Sequence, residues 1–114
     1  MDAIDAITGL EFEHCVAGLL RSQGYENIRL TEQFELGVDI IADKDDTYWG
    51  IQVKRYKRLV RADAVRQVVA ALRSYQCDMA MVVTNSVYRH PAEQLARDNN
   101  CFLIDRNELV TWIS

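Results

Sequence analysis

Asp39, Gln52 and Lys54 are the residues whose types and spacing first suggest chemistry. Asp39 stands inside the apolar run Gly37-Val38-Asp39-Ile40-Ile41-Ala42, where a solvent-facing loop carboxylate would be out of place. Gln52 and Lys54 bracket Val53 in Tyr48-Trp49-Gly50-Ile51-Gln52-Val53-Lys54. Both stretches have the composition of short strands, and Asp43, Asp45 and Asp46 between them have that of a turn. Side chains alternate along a strand, so Gln52 and Lys54 share one face and Val53 takes the other. An acid on one strand and an ammonium on its hairpin partner can meet at one end of a sheet. Such a pair is able to hold a hard cation against an anion such as phosphate.

Glu13 is a second candidate carboxylate. Thr8-Gly9-Leu10-Glu11 matches a capping box, so a helix should start there, run to about Ser22 or Gln23 and end at Gly24. Its expected apolar face holds Leu10, Val16, Ala17 and Leu20, with Phe12 and Leu19 at the edge. At about 100° per residue, Glu13 falls in the middle of that arc. Either a cation compensates a buried Glu13 carboxylate, or the helix lies at an edge and Glu13 reaches water.

The rest of the chain must position these groups. Tyr25 to Gln33 should hold a first strand, with Ile28 and Leu30 inward, and the hairpin follows. Arg55 to Val60 is a basic connector. From about Arg61 to Tyr75, Val65, Val68, Val69 and Leu72 repeat at helical spacing, and Arg66 and Arg73 project from one side. Met79 to Thr84 reads as a strand buried on both faces. Pro91 suits the first turn of a helix carrying Ala92, Leu95 and Ala96. Cys101 to Ile104 reads as a last strand, and Asp105 to Glu108 as the cap of a short closing helix through Leu109, Val110 and Trp112. The order is α-β-β-β-α-β-α-β-α, which implies a mixed sheet between helices.

Composition bounds the partners. The 114 residues, 49% hydrophobic and 26% charged, suit one soluble domain over residues 1–114, with no linker, internal repeat or membrane span. The acidic start argues against a signal peptide. Cys15, Cys77 and Cys101 are odd in number and form no CxxC, which points to reduced thiols in a cytoplasmic protein. The net charge of −4 is unevenly spread. Residues 52–73 hold seven basic side chains and only Asp63 as acid, net +6, whereas the other 92 residues carry −10. A basic block beside paired acids can hold a polyanion, unless it is only a solvated charged face.

These blocks resemble a known family. Phe12-Glu13, Gly24-Tyr25, Gly37-Val38-Asp39-Ile40-Ile41, Gln52-Val53-Lys54-Arg55-Tyr56, Val83-Thr84-Asn85, Ala92 with Ala96, and Leu103-Ile104-Asp105 are similar to the catalytic domain of Mrr-type restriction endonucleases. That family lies within the PD-(D/E)xK nuclease superfamily. The resemblance covers roughly Gly9 to Trp112. It implies a restriction endonuclease-like three-layer α/β/α sandwich with a central mixed sheet of about five strands. It also implies hydrolysis of DNA phosphodiesters in restriction or related defence, with Mg²⁺ as cofactor and Mn²⁺ as substitute. Carried over, Asp39 is the central metal-binding acid, Lys54 the catalytic lysine and Glu13 the helix glutamate that completes the site. Gln52 takes the place of the superfamily's second acid and offers a neutral, weaker oxygen. Glu35 stands where many relatives have Asp, as a residue supporting the site from outside its direct ligands.

The chemistry fits those types. Mg²⁺ takes oxygen ligands and keeps waters, so one or two carboxylates suffice. Asp39 and Glu13 supply two, and Gln52 and the backbone carbonyl of Val53 add neutral oxygens. Lys54 acts as an electrostatic aid or as a base, a choice the sequence leaves open. Arg55, Lys57, Arg58 and Arg61 are expected on the phosphodiester backbone, and Tyr56 either stacks on a base or sugar or packs at the strand end. Tyr88 and Arg89 are further loop candidates. His14 points away from Glu13, and Trp49 and Trp112 are packing residues. The alternatives are a nucleic-acid-binding module with a degenerate site, motivated by Gln52, a non-catalytic interaction domain, and a junction-resolving nuclease. Cutting both strands suggests a homodimer, and target choice suggests a separate recognition domain or subunit.

Overall fold

A tight hairpin anchors the sheet that carries these residues. The computed structural model describes residues 2–31 and 37–113. In chain order the elements are α1 (Asp2–Ala6), α2 (Gly9–Ser22), β1 (Glu26–Leu30), β2 (Ile40–Lys44), β3 (Thr47–Lys54), α3 (Ala62–Ala71), a 3₁₀ turn (Arg73–Tyr75), β4 (Met79–Thr84), α4 (His90–Asp98), β5 (Cys101–Ile104) and α5 (Arg106–Ile113). The strands lie in the order β1-β2-β3-β4-β5. The β1–β2 and β2–β3 pairs are antiparallel, and β3–β4 and β4–β5 are parallel, so the sheet is mixed.

The hairpin turn is shorter than its composition suggests. Asp43 and Lys44 pair with Tyr48 and Thr47 as strand residues, and only Asp45 and Asp46 form the loop. Their φ values of 54° and 60° are left-handed, as a two-residue loop needs to match strand twist, and aspartate tolerates that conformation.

Each face of the sheet buries one core. Phe12, Val16, Ala17 and Leu20 of α2, Ile4 of α1 and Leu109 of α5 cover Ile40, Ala42, Ile51, Val53, Met81 and Val83. On the other face, Val65 and Val68 of α3 and Ala92 and Ala96 of α4 pack on Val38, Ile41, Ala80 and Val82. The result is the expected α/β/α sandwich. Trp49 bridges the sheet end, edge-to-face with Tyr25 at 5.8 Å and Phe102 at 5.2 Å.

Several expectations are corrected. An additional helix, α1, precedes the capping box; it is held by Ile4 in the core and by Asp5, which pairs with Arg106 at 2.9 Å. On α2, Phe12 is fully buried and Leu10 is exposed. The buried stripe centres on Val16 and Leu20, which leaves Leu10 about 90° off its middle. Strand β1, Glu26–Leu30, does lie inside the stretch Tyr25–Gln33, of which Gln33 is outside the described residues. Helix α3 ends at Ala71, before Arg73, because the chain must turn back to set Met79 beside Trp49. Arg66 and Arg73 therefore do not share one helix. The turn closes with Gln76 at φ 56° and its N–H on the Arg73 carbonyl at 3.1 Å.

Candidate active site and basic cleft

Asp39 enters the sheet just ahead of β2 and is clamped at both ends. Its N–H donates to the Ile51 carbonyl at 2.8 Å, and its Oδ2 accepts the Val53 N–H at 2.7 Å. These two bonds span the residues that flank Gln52. Thr31 closes the other side, its N–H donating to the Asp39 carbonyl at 3.0 Å and its hydroxyl to the Val38 carbonyl at 2.7 Å. The N–H and C=O of one strand residue point the same way. The Val53 carbonyl is therefore turned toward the β2 side, where Asp39 sits.

Burial and neighbours set the charges. Burial raises the Asp39 carboxyl above the ordinary aspartate range, while the Val53 N–H and the Lys54 ammonium pull it back. Glu13, in the middle of α2 and half-buried, is raised by burial and then by the negative charge of Asp39. Glu13 on α2 thus senses the charge of Asp39 on the sheet, and Asp39 senses that of Lys54. Glu13 lies between the two readings, neither fully buried nor fully exposed. A nearby cation would lower both carboxyls again, opposing the effect of burial.

Gln52 takes a different direction. It is 3% exposed, and its Nε2 donates to Gln67 Oε1 on α3 at 3.1 Å. Among the described residues, Gln52 Oε1 has no hydrogen-bond partner. Also among the described residues, no three His, Cys, Asp or Glu side chains gather into a metal-holding group. The candidate donors are all oxygens: two carboxylates, the Gln52 amide oxygen, which lies in a side chain bonded to α3, and the Val53 carbonyl. Oxygen is the donor type that a hard cation such as Mg²⁺ takes. Glu35 lies outside the described residues.

The basic connector follows Lys54 directly. Lys54 Nζ stands 5.7 Å from the centre of the Tyr56 ring, and Tyr56 is 39% exposed. Arg55, Tyr56, Lys57, Arg58 and Arg61 all line one cleft of about 920 Å³, together with Ser86 and Arg89. A smaller cleft beside it, about 570 Å³, is lined by Arg61, Arg66 and Arg89. The connector is tied to the β4–α4 loop. Tyr56 N–H donates to Asn85 Oδ1 at 2.8 Å, the Ser86 hydroxyl to the Arg58 carbonyl at 2.7 Å, and Arg89 N–H to the Val60 carbonyl at 2.9 Å. Asn85 is buried and also donates to Asp5 Oδ1 at 2.8 Å.

These contacts separate residues the sequence had grouped. Arg55 is half-buried and reaches the Asp5 carbonyl at 3.5 Å, so it is partly committed to α1. The Tyr88 hydroxyl lies within hydrogen-bond distance of the Val82 and Ile104 carbonyls, at 2.8 and 3.0 Å, and shares its one proton between them, which makes Tyr88 a tie between strands and not an open loop contact. Arg89 does face the cleft. Asn85 and Gln67 went unread as site residues. A lone amide has no periodicity or charge pattern to single it out.

A family model described as a restriction endonuclease (Mrr_cat) matches residues 4–113. No curated relative matches the chain. Among solved structures, the chain is similar to AspBHI, a DNA modification-dependent restriction endonuclease, with TM-score 0.72, 16% identity, and 90% of this chain and 30% of that one covered. The MspJI restriction endonuclease in complex with a 27-mer oligonucleotide gives 0.69 and 21%, over 90% of this chain and 27% of the other. A protein of unknown function, AF1548, gives 0.71 and 17%, over 82% and 55%. The chain thus spans about half of one of these proteins and under a third of the other two.

Proposed function

This chain belongs to the Mrr_cat restriction endonuclease family, and on that premise we propose that it is a metal-dependent DNA endonuclease acting in restriction or related defence. The observation that carries the reading is Asp39, pinned between β2 and β3 with Glu13 and Lys54 in its electrostatic field. Asp39 and Glu13 would hold a Mg²⁺ or Mn²⁺ ion, with the Gln52 amide oxygen and the Val53 carbonyl as neutral donors. When bound, such an ion lowers the pKa of water and stabilises charge on phosphoryl oxygens.

The chain's own groups divide the remaining work. A bound cation would favour the ionised forms of Asp39 and Glu13, which burial disfavours. Lys54 places an ammonium where charge on the scissile phosphate grows, an electrostatic stabilisation that requires no proton transfer. Lys57, Arg58, Arg61 and Arg89, with Arg55 in part, grip the phosphodiester backbone and fix its register without reading bases. Tyr56, exposed beside Lys54, offers a face for a sugar or base. Target choice falls to a recognition domain or subunit outside this chain, and cutting of both strands to a homodimer. Among the described residues no helix is long and apolar enough to cross a membrane.

Cleavage of supercoiled plasmid, methylated plasmid and branched DNA tests the reading, with Mg²⁺, Mn²⁺ or EDTA. Wild type should cut, and EDTA, Asp39→Ala and Lys54→Ala should each abolish cutting. Equal cutting by both variants would assign the activity to a contaminant. A second reading, a nucleic-acid-binding module with a degenerate site, draws on the amide at position 52 and on the absence of a three-group cluster among the described residues. Salt-sensitive binding that survives Asp39→Ala, with no cutting under any metal, would replace the first reading with the second.

A further inference from the structure

We infer that Asn85, in the loop after β4, is the positioning residue that holds the basic connector in place along the cleft, and that Asp5 of α1 orients its amide. This rests on the reading of that cleft as a grip on the DNA backbone. The β3–β4 ladder ends with Lys54 opposite Thr84, and pairing resumes where Val60 meets Tyr88. From 54 to 60 is six steps and from 84 to 88 is four, so the connector carries two residues more than the ladder can pair. Its side chains do not seat it either, since Tyr56, Lys57, Arg58 and Leu59 are exposed. Three successive residues of the facing chain hold it instead. The Thr84 hydroxyl donates to the Lys54 carbonyl at 2.6 Å, the Tyr56 N–H donates to Asn85 Oδ1 at 2.8 Å, and the Ser86 hydroxyl donates to the Arg58 carbonyl at 2.7 Å. Asn85 makes the middle tie, and it is 4% exposed, so water competes little for that bond.

The partners of the Asn85 amide fix its orientation. A backbone N–H only donates, and an ionised carboxylate only accepts. Asn85 Nδ2 donates to Asp5 Oδ1 at 2.8 Å while Asn85 Oδ1 accepts from Tyr56, so turning the amide over would set like against like at both ends. Asp5 is fixed in turn. Arg106 grips it through both terminal guanidinium nitrogens, Nη1 to Oδ1 at 3.0 Å and Nη2 to Oδ2 at 2.9 Å, and Nη1 also donates to the Asn85 carbonyl at 3.0 Å. The bond from Arg106, and then that from Asn85, hold the Asp5 carboxyl below the ordinary aspartate range, which keeps it the acceptor that Asn85 needs. Asn85 does not itself line the cleft, whereas Tyr56, Lys57 and Arg58 do, so it acts through the connector. A connector already held in one form need not be ordered when a polyanion binds.

The test needs no cleavage. It reads Kd for a labelled DNA duplex by fluorescence anisotropy in EDTA, and exchange of the Tyr56 amide by nuclear magnetic resonance without DNA. Asn85→Ala should bind on the order of 10-fold more weakly, the equivalent of ordering about one backbone residue on binding. Its Tyr56 amide should exchange roughly 5- to 10-fold faster, the equivalent of one net hydrogen bond. Asn85→Asp combined with Asp5→Asn exchanges donor and acceptor between the two positions, keeps an acceptor for the Tyr56 N–H and leaves the net charge unchanged. That double variant should restore wild-type affinity. Asp5→Ala serves where Asn85→Ala fails to fold: Asn85 remains without the carboxylate that orients it, and the Tyr56 amide should again exchange faster. Any of three results would overturn the inference: a folded Asn85→Ala that binds DNA as wild type, a folded double variant as weak as Asn85→Ala, or a Tyr56 amide that keeps its wild-type exchange rate in Asp5→Ala. Wild-type protein without salt-sensitive binding would refute the cleft reading itself. Wild-type protein that binds, beside an Asn85→Ala that binds equally, removes only the role of Asn85.

Discussion

Replacing Gly37 by alanine should cost much of the protein's stability, whereas the same change at Gly18 should raise it. Gly37 has φ 94°, which an L side chain adopts at a cost of about 1–2 kcal/mol. Its missing Cβ would also lie 2.5 Å from the Gln67 carbonyl oxygen and 2.7 Å from the Ala71 Cβ. Both neighbours belong to the helix framework, so no side chain can swing aside. To restore ordinary contact at 3.4 Å, α3 must recede by nearly an ångström. Overpacking of that kind costs about 1–3 kcal/mol. Alanine also stiffens the unfolded chain, which returns about 0.4–1 kcal/mol. The net loss is about 2–4 kcal/mol, or a fall in Tm of about 10–15 °C for a domain of this size. Gly18 is in mid-α2 with nothing within 4 Å of a built Cβ, so alanine there should add about 0.5–1 kcal/mol. Urea unfolding and thermal scans of both variants measure this. A Gly37→Ala protein within about 0.5 kcal/mol of wild type would refute the packing of α3 against the approach to Asp39, because surface changes alone stay within that range.

Other outcomes follow from the charges and ties. Asp39 has a raised pKa, so its ionised form opposes folding: relative to acid pH, stability falls as pH climbs from the unfolded value, about 3.9, to the folded one, and the deficit persists above both. Metal-free Asp39→Asn should therefore be at least as stable as wild type at pH 7 in urea unfolding, and added Mn²⁺ should stabilise wild type only. Asp5 has the opposite sign, held low first by its hydrogen bond from Arg106 and then by that from Asn85. Its contribution is present above the unfolded value and lost as pH falls through the folded one; Asp5→Asn should cost about 1 kcal/mol at pH 7 and nothing in acid, by pH-dependent chemical unfolding. Lys57→Gln and Arg58→Gln should each lower the salt slope of DNA affinity by about 0.9, measured by fluorescence anisotropy at several salt concentrations. Tyr88→Phe should cost about 1–2 kcal/mol in urea unfolding, because it removes the hydroxyl bonded to the Val82 and Ile104 carbonyls, and should leave that slope unchanged.

The sequence alone determined what is local or periodic. The Thr8–Glu11 capping box, the Met79–Thr84 and Cys101–Ile104 strands and the Asp105 cap stand where their residues place them, because each depends on neighbours a few positions away. Strand alternation and the apolar run around Asp39 were likewise enough to bring out Asp39, Gln52 and Lys54 as candidates. The tertiary structure decided what depends on partners distant in sequence. It buried Phe12 in place of Leu10, since the sheet sets which part of an amphipathic arc is covered. It added α1, a helix too short to be stable by propensity, held by Ile4 in the core and by the Asp5–Arg106 pair at the other end of the chain. It tied the basic connector to Asn85 and withdrew Tyr88 from the surface. It also turned the Gln52 amide toward Gln67, fifteen residues away. Spacing can show that an amide stands where an acid is expected, but the helix it packs against is set only by the fold.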